Sequence, residues 1–195
     1  MTDTTTIPAT RVVDGRTVPA AGTWTVDPSH SRVGFVARHM AVAKTRGHFS
    51  DYTVELTIAE DPTQSSLSVS IDAATFTTGD EGRDGHVKSA DFLDVEQFPT
   101  ITFTSSKVEP GKGDDRWTVQ GDLTVHGVTK PVELDVELSG VAADPGGHDR
   151  AIYEASTEID REDFGLTWNQ PLAGGGVLVG KKVKIELEVE SVRQV

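Results

Sequence analysis

The chain has 195 residues, no cysteine and a formal net charge of −13. These values exclude disulfides and cysteine-ligated metal centres. So acidic a chain argues against nucleic acid, whose phosphates need clustered Lys and Arg, and against tight binding to anionic lipid headgroups.

Residues 1–21 are rich in Thr, Pro, Ala and Gly and lack periodicity. They read as a flexible arm with a short strand near 11–18, followed by one domain over 22–195. The start has no basic stretch leading into an apolar run, so a signal peptide is not expected and a cytoplasmic location is. No run has the length and apolarity of a membrane-spanning helix.

From Trp24 onward, alternation with a period of two dominates. Val33, Phe35 and Ala37 share a face, as do Val54, Leu56 and Ile58, then Leu67, Val69 and Ile71. A long polar connection opens the segment 78–105, and the pattern resumes at its end. Ile101 and Phe103 are followed by Trp117, Val119, Leu123 and Val125, then by Val132, Leu134, Val136 and Leu138. Tyr153, Ala155, Thr157 and Ile159 come next, and Val183, Ile185, Leu187 and Val189 close the series. About eight strands, each with one apolar and one polar face, mark antiparallel sheets with one buried side, as a sandwich or a barrel. Short helices are expected only at 39–45 and 89–97, the second capped by Ser89 and ended before Pro99.

The motifs that would announce catalysis are incomplete. The run from Gly175 to Lys181 matches much of a phosphate-binding loop, but Lys182 stands where a Ser or Thr should hold Mg²⁺, and a strand follows instead of a helix. Asp80 to Asp91 imitates a calcium loop, with Gly82 at its third position and Asp91 at its twelfth. Six histidines occur without zinc-like spacing. Ser29, His30 and Ser31 are adjacent in sequence, which puts neighbouring side chains on opposite faces of a strand. No catalytic or metal-ligating residue is therefore assigned.

Four segments together resemble the YceI-like family of polyisoprenoid-binding proteins: WTVDPSHSRVGFVARHM with KTRGHF; FTTGDEGRDGHVKSADFLDVEQFPTITFTS; GDLTVHGVTKPVELDV; and DREDFGLTWN with GGGVLVGKKVKIELEVE. The resemblance spans residues 24–192. It implies an all-β fold, an eight-stranded antiparallel lipocalin-like β-barrel with short helices in the connections. It also implies an apolar tunnel for an isoprenoid lipid, such as a quinone or a polyprenyl phosphate, with no other cofactor, and a homodimer. Tyr153 stands where the family resemblance leads one to expect Phe.

The tunnel lining is then expected from Phe35, Leu56, Val69, Ile101, Phe103, Leu123, Leu134, Tyr153, Phe164 and Trp168. Phe49, Phe92 and Phe98 are expected to line or cover a mouth, where Arg38, His39, Arg83 and His86 would meet a polar head. Two other readings stay open: a metal-assisted enzyme using histidines at the mouth, and an interaction module with a solidly packed barrel.

Overall fold

A computed structural model describes residues 9–194. The strands are β1 (Thr10–Val13), β2 (Arg16–Pro19), β3 (Gly22–Val26), β4 (Arg32–His39), β5 (Ala43–Phe49), β6 (Tyr52–Ile58), β7 (Ser66–Asp72), β8 (Phe76–Thr77), β9 (Thr100–Pro110), β10 (Arg116–Val125), β11 (Val128–Ala143), β12 (Asp149–Asp160) and β13 (Val179–Arg193), with one α-helix, α1 (Glu81–Lys88). Eight of them close into an antiparallel ring in the order β3, β6, β7, β9, β10, β11, β12, β13 and back to β3. This is the expected eight-stranded barrel. Full closure leaves the ring no unpaired edge.

One wall is shared. The end of β13 pairs with β3 (Ser191 opposite Val26), and its earlier part pairs with β4 (Val183 opposite Ala37, Glu188 opposite Arg32). A 3₁₀ turn at Pro28–His30 separates β3 from β4, with the Asp27 side chain accepting from the Ser29 N–H. The alternating strand expected from Val33 is therefore β4, and the ring's own strand begins earlier, with Trp24.

Three local expectations change. Residues 39–45 form no helix: β4 turns directly into β5, with Met40 and Ala41 in the left-handed region at φ +50 and +62. The helix expected at 89–97 lies one element earlier, as α1. Asp80 caps it by accepting from the Arg83 N–H at 2.9 Å, and Ser89 ends it. Buried Asp84 ties it down by accepting from Thr77 Oγ1 at 2.8 Å and the Thr78 N–H at 2.9 Å. Burial opposes ionisation of Asp84, but these hydrogen bonds outweigh it and hold the carboxyl below its ordinary value. Gly82 and Gly85 are poor helix formers, which is why the segment reads as a loop.

The third change concerns the arm. Residues 10–19 form a hairpin, β1–β2, turning through Asp14 and Gly15 at positive φ. Arg11 donates to the carbonyls of Ala59 and Glu60, and Arg16 to those of Gly111 and Arg116. Val18 and Ala20 are almost fully buried. Residues 1–8 of the expected arm lie outside the described residues.

The interior divides into two clusters. The larger includes Ile101, Phe103, Leu123 and Leu134; the smaller joins Trp24, Leu138 and Ala151 beside the β1–β2 hairpin. Trp24 has no exposed surface, and its indole N–H donates to the Ala20 carbonyl at 3.0 Å.

Candidate ligand tunnel

The inward positions of the ring do not meet at the centre. They enclose a cavity of about 710 Å³, a size typical of ligand sites. Two glycines let aromatic rings lie flat against the wall: a Cβ on Gly47 would come within 2.4 Å of the Phe35 ring, and one on Gly121 within 2.5 Å of the Phe103 ring.

Eleven of the expected apolar residues line this cavity: Phe35, Phe49, Leu56, Val69, Phe92, Ile101, Phe103, Leu123, Leu134, Tyr153 and Trp168. Two do not. Phe98 packs against the turn between β10 and β11, its ring 4.6 Å from that of His126 and directly over Gly127. Phe164, 2 % exposed, packs in the larger buried cluster without lining the cavity. Phe35, Phe49 and Phe76 form an aromatic group inside, the first and last stacked at 4.9 Å.

The two ends of the cavity differ. Val18 and Pro19 line the end beside Trp24 and are buried there. At the other end the lining residues Arg38, Gly82 and Arg83 are exposed, which makes it the mouth. All four expected mouth residues, Arg38, His39, Arg83 and His86, are at this end. His86 sits edge-on to Trp168 at 4.6 Å and to Phe92 at 5.2 Å, and its Nε2 lies 2.8 Å from an Asp91 carboxylate oxygen. Arg83 donates from Nε to Thr78 Oγ1 at 2.6 Å.

Sequence reasoning missed the most unusual member. Arg161 lines the cavity and is only 3 % exposed. Its guanidinium donates to the carbonyls of Gly180 (3.0 Å), Val179 (3.5 Å) and Leu166, and lies 5.9 Å from the Phe92 ring centre. It is absent from the ion pairs among the described residues. The flanking acids are engaged elsewhere, Glu162 by Lys181 at 2.7 Å and Asp160 by Lys182 at 3.8 Å. Desolvation lowers the guanidinium pKa, although Glu162 and Asp160 oppose it. A run of Asp160, Arg161, Glu162 and Asp163 reads as solvated surface charge, so no sequence signal marked this arginine as inward. Among the described residues, the charged side chains that line the cavity are Arg38, Arg83 and Arg161; no carboxylate does.

Tyr153 points inward as a member of the lining, and its hydroxyl is buried without a hydrogen-bond partner. Burial pushes its pKa well up. Its ring packs against the Trp24 cluster at the closed end.

The remaining motifs resolve into structure. The glycines at 175 and 176 take φ of +88 and +85 in a turn leading into β13. The acids near Asp80 cap and anchor α1. Asp27, His30 and Glu190 come close enough to hold a metal. However, Arg150 Nη1 already lies 2.9 Å from Asp27 and 2.6 Å from Glu190, and Nε lies 2.9 Å from Asp144. The hydrogen bonds from Arg150, then Ser29 and His30, hold the Asp27 carboxyl far below its ordinary value. A guanidinium fills the place a cation would take. This cluster contains one histidine, and His39 and His86 at the mouth are not in it. Ser29 Oγ and the Asp27 carboxylate both meet the same nitrogen of His30, Nδ1, at 3.1 and 3.0 Å. A hydrolytic triad needs a histidine bridging through its two nitrogens.

These features match known proteins. The family model for the YceI-like domain covers residues 24–191. A UPF0312 protein of Staphylococcus aureus (strain MSSA476) is 36% identical over 171 residues, covering 86% of this chain and 95% of that protein. The crystal structure of Burkholderia cenocepacia BcnA superposes with a TM-score of 0.74 at 25% identity, covering 85% and 98% of the two chains. The Campylobacter jejuni YceI protein gives 0.69 at 26% identity, covering 81% and 90%. A polyisoprenoid binding domain from Saccharophagus degradans shares the fold, with a TM-score of 0.63 at 17% identity over 88% and 98% of the two chains. The chain belongs to the YceI-like family.

Proposed function

We propose that this protein binds an isoprenoid lipid in its tunnel, tail toward Trp24 and head at the mouth, and carries or sequesters it without chemical change. The observation that carries this reading is the segregation of the lining: apolar along the length, with every charged lining group an arginine at one end. Each buried CH₂ contributes about 0.8 kcal/mol, and micromolar affinity requires about 8 kcal/mol. Roughly ten carbons therefore cover that nominally, before ordering costs. A quinone carbonyl or a phosphate oxygen is the kind of acceptor that Arg38, Arg83 and Arg161 would meet. The fold shared with the polyisoprenoid binding domain supports the same ligand class.

Among the described residues, no lining hydroxyl is hydrogen-bonded to a histidine and no carboxylate lines the cavity, which supports binding over catalysis. An open interior favours carriage over a solidly packed interaction module. Family resemblance adds a homodimer, which sedimentation of the purified protein would measure.

Mass spectrometry of organic extracts of the purified protein should find a prenyl lipid in near-stoichiometric amount. Finding none, together with no uptake of an added polyprenyl alcohol or phosphate, would overturn the reading.

A further inference from the structure

The large apolar side chains most exposed to solvent among the described residues are Val12, Met40, Val42, Ile152 and Val177. Three of these belong to one place. Met40 and Val42 form the tip between β4 and β5, and the Met40 N–H donates to the Leu178 carbonyl, which brings Val177 beside them. Leu178, His39 and Arg38 line the cavity, so this apolar tip stands on its rim.

The outer faces of β4, β5, β12 and β13 continue from the tip as a shallow basic depression. Arg38, Lys44, Arg46, Lys182 and Lys184 border it, against two carboxylates, Glu158 and Glu186. Five of the chain's 18 Lys and Arg residues gather here, in a protein of net charge −13. Lys184 pairs with Glu186 at 2.9 Å and Lys182 reaches Asp160 at 3.8 Å. Arg38, Lys44 and Arg46 are absent from the ion pairs among the described residues. Total charge argues against an anionic surface, but its distribution reverses that conclusion for one face.

We propose that the β4–β5 tip and its basic flank dock the protein, mouth first, onto the surface of an anionic lipid bilayer. The apolar tip enters the headgroup boundary, the cations meet lipid phosphates, and the acidic remainder is repelled, which fixes the orientation. Nucleic acid would meet the cations but gain nothing from Met40, Val42 and Val177. An anionic bilayer rewards both, and it holds the tunnel's rim against a source of long-chain lipid.

The test is flotation of the full-length protein with two kinds of vesicle: pure phosphatidylcholine, and phosphatidylcholine with about one-third phosphatidylglycerol. Binding should require the anionic lipid and be lost at about 0.5 M salt. Each cation removed should weaken it about fivefold, and Lys44→Glu with Arg46→Glu more than that. Val42→Ser should weaken vesicle binding and leave the salt dependence in place. None of Val42, Lys44 and Arg46 lines the tunnel, so uptake of a prenyl ligand from solution should be unchanged. Equal binding to both vesicles, no binding to either, or a charge-reversed variant that floats like the parent would overturn the proposal. So would retention of a DNA oligonucleotide by the same face with no effect of Val42→Ser on vesicle binding. Docking is read without a ligand, so failure of the carrier reading and failure of this one are separate results.

Discussion

The two ends of the barrel solve opposite problems. At the Trp24 end, buried donors are mostly answered by backbone carbonyls, the Arg11 Nε and the Tyr153 hydroxyl being the exceptions. The indole N–H meets a carbonyl, and Arg11 and Arg16 of the β1–β2 hairpin reach carbonyls on the far side of loops. At the mouth, polar groups are left with donors to spare. Arg161 has five N–H groups and three carbonyl partners, and Arg38 and Arg83 face solvent beside the opening. A satisfied end holds the fold together; an under-satisfied end is where a ligand still has something to offer.

Changes at the closed end should therefore register in stability, and changes at the mouth in binding. The largest effect is expected from Trp24→Ala, which empties a fully buried site and should cost about 3–5 kcal/mol, measured by denaturant unfolding. Next is Gly47→Val in the wall. Its Cβ collides with the Phe35 ring and with the Thr77 carbonyl oxygen at 2.4 Å, and a loss of about 1–3 kcal/mol is expected, together with weaker ligand uptake.

At the mouth, Trp168→Ala should lower ligand affinity about tenfold by removing the ring that packs with His86 and Phe92. Its unfolding midpoint should stay near the parent's; a collapse in stability would erase the distinction between the ends. Tyr153→Phe should raise stability by about 1 kcal/mol, because it deletes a buried hydroxyl that has no partner.

The smallest effect concerns acid. Asp27 is held below its ordinary value of 3.8 in the folded state by Arg150. Its contribution is therefore complete above that value and is lost as pH falls toward the depressed one. A melting-temperature series below about pH 4 should fall for the parent and be flatter for Asp27→Asn.

The barrel was largely legible because alternation is a direct image of a wall with one wet and one dry face. Val69, Ile101, Phe103 and Leu134 line the cavity for the reason that they alternate with Ser, Thr and Glu. Phe98 and Phe164 lie outside regular strands, so alternation says nothing about their direction. Hydrophobicity alone does not separate a lining residue from one packed behind it. Arg161 was illegible for the opposite reason, since its neighbours in sequence are acids that turn outward to Lys181 and Lys182. Of the β1–β2 hairpin only a short strand near 11–18 is expected, although its Asp14–Gly15 turn, both residues at positive φ, is a hairpin signal. Its docking was illegible because its two arginines anchor on carbonyls far away in sequence.

The seamless ring governs how a guest can come and go. The eight ring strands are all bonded to their neighbours, so where the ring closes its wall cannot open sideways without breaking a ladder of hydrogen bonds. A long chain must be drawn out endwise, like a cable from a conduit, one carbon at a time. Each further carbon held inside adds about 0.8 kcal/mol to be surrendered before release, roughly a fourfold longer stay. Residence time then acts as a ruler, and short chains slip away while long ones remain.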